Sequence, residues 1–350
     1  MFFATASDTS QFSIFTSQFP VRHFSILTSQ FSISYPTLLH SQFNNMQVLR
    51  FNTPYPVRLS LALGFFDCAH LGHRAILRSA AESARETNAI GAAFTFDNDP
   101  FAVLGQKDKL IYTFGERVAL LAEIGVQAVV AAAFSKEFMR LPADAFLETL
   151  TKSFDVAALA CGPDYTYGFG GGGDAAGLSR YCALRGIPFR VVPFVTENGV
   201  KVSSTAVREF LQKGDVEAAN LFLGAPYSAR GRVERGRALG RRLSYPTANL
   251  PVPSGKLRIK DGVYATRTAV GGAVYASVTN AGGKPTFGIG SYGIETHLLD
   301  YNKDLYGRDV KVEFLRYMRP VQTFGGPDAL RAQLDADAAA RRAMEEQIGN

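Results

Sequence analysis

The order of apolar and polar positions divides this chain into two regimes. Between Arg58 and Val195, short apolar runs alternate with longer stretches of helical composition. Arg58–Gly64 (RLSLALG), Ile90–Phe96, Ala128–Phe134, Val156–Cys161 and Ile187–Val195 are continuous apolar runs, the pattern of strands buried on both faces. Arg74–Asn88 (with Ala75, Ile76, Ala80, Ala81 and Ala84 on one side), Phe114–Ile124 and Ala143–Lys152 have helical composition. That alternation predicts a parallel, doubly wound α/β sheet with ligands at the C-terminal ends of its strands. From Ser228 the period shortens. SARGRVERG, DGVYATRTAV, AVYASVTNAG and VKVEFLRYM alternate large apolar with polar residues between glycines. About six such strands predict a small antiparallel β-barrel, and the Ala-rich Pro327–Ile348 reads as a closing helix.

The chain has 350 residues, which suits two domains at roughly 100–200 residues each. The boundaries read as 1–45 for an extension, 46–227 for the α/β domain and 228–350 for the barrel. The extension is of low complexity, with Ser-Gln-Phe recurring at Ser10, Ser17, Ser29 and Ser41. It lacks the arginines of an organellar signal and the basic start and apolar core of an export signal. We expect it to be disordered, or translation to start at Met46.

Charge and cysteine usage narrow the function classes. The net charge of +6 suits small polyanions such as ATP, and no Lys/Arg-rich run points to nucleic acid. No apolar run reaches the ~20 residues of a membrane span. Cys68, Cys161 and Cys182 are odd in number and widely spaced, so neither a zinc site nor a disulfide framework is expected, and a reducing cytoplasm is. Oligomeric state leaves no mark in the sequence.

Candidate chemistry in the first domain gathers at strand ends. FFDCAHLGH, Phe65–His73, lies between a strand and a helix, where free N–H groups and the helix dipole attract phosphate. Gly72 allows close approach, and His70 and His73 can donate to phosphoryl oxygens as charge builds. GPDYTYGFGGGG, Gly162–Gly173, follows the strand ending at Cys161 and offers Tyr165 and Tyr167 for ring stacking; a flexible surface loop is the alternative reading. In KVSSTAVREFL, Ser203, Ser204 or Thr205 caps a helix with Arg208 one turn inside, a set suited to a triphosphate or simply to capping.

In motif order, FDxxHxGH, the DYxYG loop and the VSSTxxR helix resemble the N-terminal half of the bifunctional bacterial FAD synthetases, over about Leu59–Tyr227. The resemblance implies a nucleotidylyltransferase, Rossmann-like domain with FMN adenylyltransferase activity. It implies His70, His73 and Arg208 as catalytic groups. Gly64, Phe66, Asp67, Gly72, Ser203, Ser204 and Thr205 would serve ATP, and Asp164, Tyr165 and Tyr167 the flavin. Three departures bear on the adenylylation rate: Phe65 stands where the family usually has Asn, Cys68 where it has Gly, and Asn98-Asp99 where it has Pro-His.

The second domain opens on GRALGRRLSYPTANL, Gly236–Leu250. Gly236 and Gly240 let a loop fold over phosphates, Pro246 stiffens the turn, and Thr247 and Asn249 offer hard oxygens for magnesium. ETHLLD, Glu295–Asp300, supplies a carboxylate able to take a proton from an attacking hydroxyl. With DLYGRDVKVEFLRYMRP, these segments resemble the riboflavin kinases over about residues 228–348. That resemblance implies Glu295 as base, Asn280 at the flavin, Thr247 and Asn249 at Mg²⁺, and riboflavin, FMN and ATP as small-molecule partners, with no nucleic acid and no membrane. His297 reads as structural. The expected function is riboflavin to FMN, then FMN to FAD, with flavins as substrate and product. The alternative is a riboflavin kinase with a degenerate first domain, and a non-enzymatic flavin- or RNA-binding regulator is the remote one.

Overall fold

The computed structural model describes residues 46–107, 109–235, 245–283 and 292–348. The extension 1–45, with its expected disorder or late start, lies outside them, and so do Gly236 and Gly240.

The first sheet has six parallel strands in the order Gln47–Arg50, Ala128–Ala132, Ile90–Phe96, Arg58–Leu63, Asp155–Cys161, Phe189–Val191. From Arg58–Leu63 the chain winds outward through Ile90–Phe96 and Ala128–Ala132. It then returns to the other side of Arg58–Leu63 as Asp155–Cys161. That reversal opens a crevice beyond the C-terminal ends of these two strands. Both histidines and the glycine-rich segment emerge there. The edge strand Gln47–Arg50 goes beyond the sequence expectation; four residues on one neighbour leave too short a pattern to read.

The helix after the strand Arg58–Leu63 runs over Leu71–Glu86, starting three residues earlier than its composition suggests. His70 is the reason: it is the N-cap, and its Nδ1 accepts from the His73 N–H at 3.2 Å. A histidine cap lies outside the usual Ser/Thr/Asp/Asn set, so composition alone misses it.

The second sheet is antiparallel in the order Tyr227–Arg232, Asp309–Arg319, Gly262–Val270, Ala273–Gly283, Tyr292–Leu298, Ala248–Pro251. Its outer strands approach each other where the Glu234 N–H donates to the Asn249 carbonyl at 2.9 Å, so the barrel is nearly closed. Inside, Tyr264, Ile294, Val312 and Phe314 form the apolar filling. Five hydroxyls (Thr266, Thr268, Ser277, Thr279 and Thr296), all fully buried, satisfy one another at 2.7–2.8 Å along the chain of contacts. The closing helix Pro327–Ile348 is held by Asp337, which takes both arms of Arg319 at 2.9 and 2.6 Å.

Helices Ser204–Lys213 and Val216–Leu223 join the two sheets. Their Val207, Leu211, Val216, Ala219 and Phe222 share one hydrophobic cluster with the barrel interior. The described residues therefore belong to one compact unit. Among them, no helix is long and apolar enough to cross a membrane.

Candidate functional site

The crevice in the α/β sheet is a cavity of ≈ 610 Å³, within the size range of small-molecule sites. One end of it is formed by the turn after Leu63. Phe66 and Ala69 hold left-handed backbone there, with φ of 50° and 46°. Such strain in non-glycine residues persists where surrounding structure fixes it. Here Phe66 is buried under Gly64, where any Cβ would lie 2.9 Å from the Phe66 ring. The rings of His70 and His73 stack with centroids 3.7 Å apart. Burial pushes His70 down to about 4 and His73 well below the usual histidine value, so both are neutral near pH 7. His70 Nδ1 accepts a hydrogen bond, which places its proton on Nε2. His73 Nδ1 is buried without a hydrogen-bond partner.

Of the residues expected here from sequence, Gly64, His70, Gly72, His73, Asp164, Tyr165, Tyr167, Ser203 and Ser204 line the cavity. Ser203 caps the helix, accepting from the Ala206 N–H at 3.2 Å. Phe66, Asp67, Thr205 and Arg208 are not among the lining residues. Thr205 is exposed. Arg208 is buried, donating from Nη2 to Asp67 Oδ2 at 3.0 Å and from Nε to the Lys109 carbonyl at 3.4 Å. Asp67 also accepts from the Ile111 N–H at 3.1 Å. Burial raises Asp67 to about 6, against the pull of Arg117 and Arg208.

The glycine-rich segment is ordered. Thr166–Tyr167 pairs with Gly173–Asp174 around a 3₁₀ turn at Phe169–Gly171. Gly168 has φ of 76°, and a Cβ there would lie 2.6 Å from backbone atoms of Ala143. Gly168→Ala should therefore lower stability by about 1–3 kcal/mol, read as a shift in denaturant midpoint.

Sequence reading missed the cavity's aromatic wall: Phe65, Phe96, Phe134, Phe138, Phe146 and Phe194. Phe65, Phe96 and Phe134 end or closely follow the strands Arg58–Leu63, Ile90–Phe96 and Ala128–Ala132, so for these three strand-end position was the available signal. The family departures also take structural places. Asn98 exchanges two hydrogen bonds of 2.8 Å with the Phe134 backbone. Asp99 caps the short helix Pro100–Val103 through the Phe101 and Ala102 N–H groups. Cys68 is buried with Sγ 3.5 Å from Ser204 Oγ.

A second cluster lies on the barrel. Register places Asn249, Glu295 and Asn280 side by side on three adjacent strands. The Thr247 hydroxyl donates to Glu295 Oε1 at 2.7 Å. Asn280 Oδ1 is buried without a hydrogen-bond partner. The His297 Nδ1 lies 2.9 Å from the Pro246 carbonyl, and its ring packs against Tyr245 at 4.9 Å, which fixes the start of the Pro246–Asn249 segment. That agrees with a structural role for His297. Thr247 and Asn249 also line a small pocket with Tyr301, Lys303 and Asp304.

Three kinds of comparison bear on these sites. A family described as FAD synthetase matches residues 53–206, and one described as riboflavin kinase matches residues 223–345. The bifunctional riboflavin kinase/FMN adenylyltransferase of Listeria monocytogenes is 32% identical over 288 residues, spanning 81% of this chain and 91% of the relative. The chain belongs to the bifunctional riboflavin kinase/FMN adenylyltransferase family. The Escherichia coli member is 34% identical over 287 residues, again covering 81% of this chain and 91% of its own. A solved Streptococcus pneumoniae structure, named a macrolide-efflux protein, is 30% identical with a TM-score of 0.75, covering 84% of this chain and 98% of that one. The overlap shows that this family member shares that structure's fold along nearly its whole length.

Proposed function

We infer that the chain makes FAD from riboflavin in two ATP-dependent steps. On the barrel, Glu295 takes the proton of the ribityl 5′-hydroxyl as its oxygen attacks the γ-phosphorus, giving FMN and ADP. In the α/β domain, a phosphate oxygen of FMN attacks the α-phosphorus of a second ATP, giving FAD and pyrophosphate. The second step separates this reading from a kinase-only protein. The observation that carries it is the ≈ 610 Å³ aromatic cavity closed at one end by the stacked histidines.

Residue roles follow from placement. Tyr165, Tyr167 and the phenylalanine wall take the isoalloxazine ring, with Asp164 at the edge. His70, His73, Gly64, Gly72, Ser203 and Ser204 face the phosphates. Arg208 acts through Asp67, holding the turn, rather than by touching phosphate. On the barrel, Asn280 offers an unpartnered oxygen to riboflavin. Among the described residues, no group of three or more His, Cys, Asp or Glu is placed to hold a metal. The hard oxygens of Thr247 and Asn249 suit a magnesium ion arriving on the triphosphate, where it would supply charge neutralisation. We place the extension at 1–45, the adenylyltransferase domain at 46–227 and the kinase domain at 228–350.

We also propose a cytoplasmic setting. All three cysteines are free and buried, and burial pushes Cys68 and Cys161 up to about 12 and Cys182 to about 11, which keeps them as unreactive thiols.

Incubating purified protein with riboflavin and excess ATP, with FMN and FAD resolved by chromatography, tests both steps. FMN should appear first and FAD follow with equimolar pyrophosphate. Accumulation of FMN alone would establish the kinase-only alternative.

A further inference from the structure

The segment Lys109–Arg117 lies between the two sheets and is gripped from both sides in alternation. Extended backbone sends the N–H and C=O of one residue to one edge and those of its neighbours to the other. Leu110 faces the barrel: its N–H donates to the Gly255 carbonyl at 3.1 Å and its carbonyl accepts from the Leu257 N–H at 2.7 Å. Its neighbours face the α/β domain, the Lys109 carbonyl on Arg208 and the Ile111 N–H on Asp67, the buried pair behind the turn. The Tyr112 hydroxyl then accepts from the barrel's Ser228 N–H at 3.2 Å.

The same division continues where this segment enters the helix Phe114–Glu123. Glu116 faces the barrel. Its carboxylate takes the Lys256 ammonium and the Arg230 N–H, while its other oxygen accepts from the Thr113 N–H and hydroxyl at the helix start. Lys256 and Glu116 are both buried, at 4% and 8% exposure, so the pair is shielded from solvent screening. Arg117, the next residue, is buried behind the cavity wall. Its Nη1 donates to Thr95 Oγ1 at 2.6 Å and to the Phe65 carbonyl at 3.2 Å, and its Nη2 to the Phe96 carbonyl at 2.7 Å. Its guanidinium also lies 5.0 Å from the Phe65 ring centre. Phe65 and Phe96 both line the cavity.

We propose that Lys256, a residue of the barrel, is a positioning residue for adenylyl transfer: through Glu116 it fixes the helix start from which Arg117 sets Phe65 and Phe96. The inference rests on the adenylyltransferase reading above. Its consequence is that the kinase domain is a structural part of the adenylyltransferase site.

The test assays FMN-to-FAD and riboflavin-to-FMN separately in the full-length protein. Lys256→Met should lower kcat/KM for FAD formation roughly ten- to a hundredfold, with a raised KM for FMN, and leave riboflavin phosphorylation within twofold. Lys256→Arg should restore much of the loss. Because removing one member of a buried pair endangers folding, the double variant Glu116→Gln/Lys256→Met, which leaves no unpaired charge, is assayed alongside at matched thermal stability and should show the same selective loss. FAD formation within twofold of wild type in these variants overturns the proposal, as does an equal fall in both reactions. Wild-type protein that makes FMN but no FAD overturns the adenylyltransferase reading itself, and this inference with it.

Discussion

Replacing Glu295 by glutamine should lower FMN formation by about 10²–10⁴-fold, the usual contribution of a positioned general base. Glutamine keeps the length and can still accept the Thr247 hydroxyl that donates to Glu295 Oε1 at 2.7 Å. What it removes is the ability to take the proton of the ribityl hydroxyl. Flavin binding should survive, because Asn280 and Asn249, which flank Glu295 in the strand register, are unchanged. Adenylylation of supplied FMN should also survive, because its cavity lies in the other sheet. Single-turnover assays with riboflavin and ATP, beside fluorescence titration of riboflavin, measure both properties. Near-normal FMN formation would mean that another group takes the proton. Loss of riboflavin binding would mean that Glu295 holds substrate rather than activating it.

The pattern of the sequence made the two architectures legible because each rests on short-range periodicity. Continuous apolar runs gave the parallel strands, and alternation gave the barrel. The HxGH turn and Pro246–Asn249 were readable for the same reason, since each motif concentrates its residues within one turn. What was not legible depends on long sequence separation. Nothing near Arg208 announces Asp67, 141 residues away, so the buried pair they form was out of reach. The Lys256–Glu116 pair spans 140 residues and the Arg117 contact with Phe65 spans 52. Phe65 looked like a damaged motif position. In three dimensions its ring packs with Phe96, which also lines the cavity, and with Phe101, at centroid distances of 5.9 and 5.8 Å.

Replacing His73 by alanine should lower FAD formation from FMN by about 10²–10³-fold, the effect of losing one preorganised donor at a site of developing charge. The pH behaviour of the pair is equally specific. Burial holds His70 at about 4 and His73 well below 6.5, so neither is charged in the free enzyme near neutrality. The kcat/KM profile for FAD formation should then show no histidine limb near 6.5. A histidine lowered on folding adds stability above its unfolded value, and that stability is lost as pH falls through the folded value. For His70 the change is about 3 kcal/mol between pH 6.5 and about 4, and His73 adds to it in the same direction. Asp67 works the other way. Its folded value is raised from 3.8 to about 6, so it adds stability as pH falls through 6, again by about 3 kcal/mol. In wild type the two histidines outweigh this one carboxyl. In the His70→Asn/His73→Asn variant their loss on acidification is absent, while the Asp67 contribution remains. Denaturation at about pH 7.5 and about pH 5 should therefore show the variant gaining stability relative to wild type on acidification. An equal acid response in the two proteins would mean that the histidines are not held neutral in the fold.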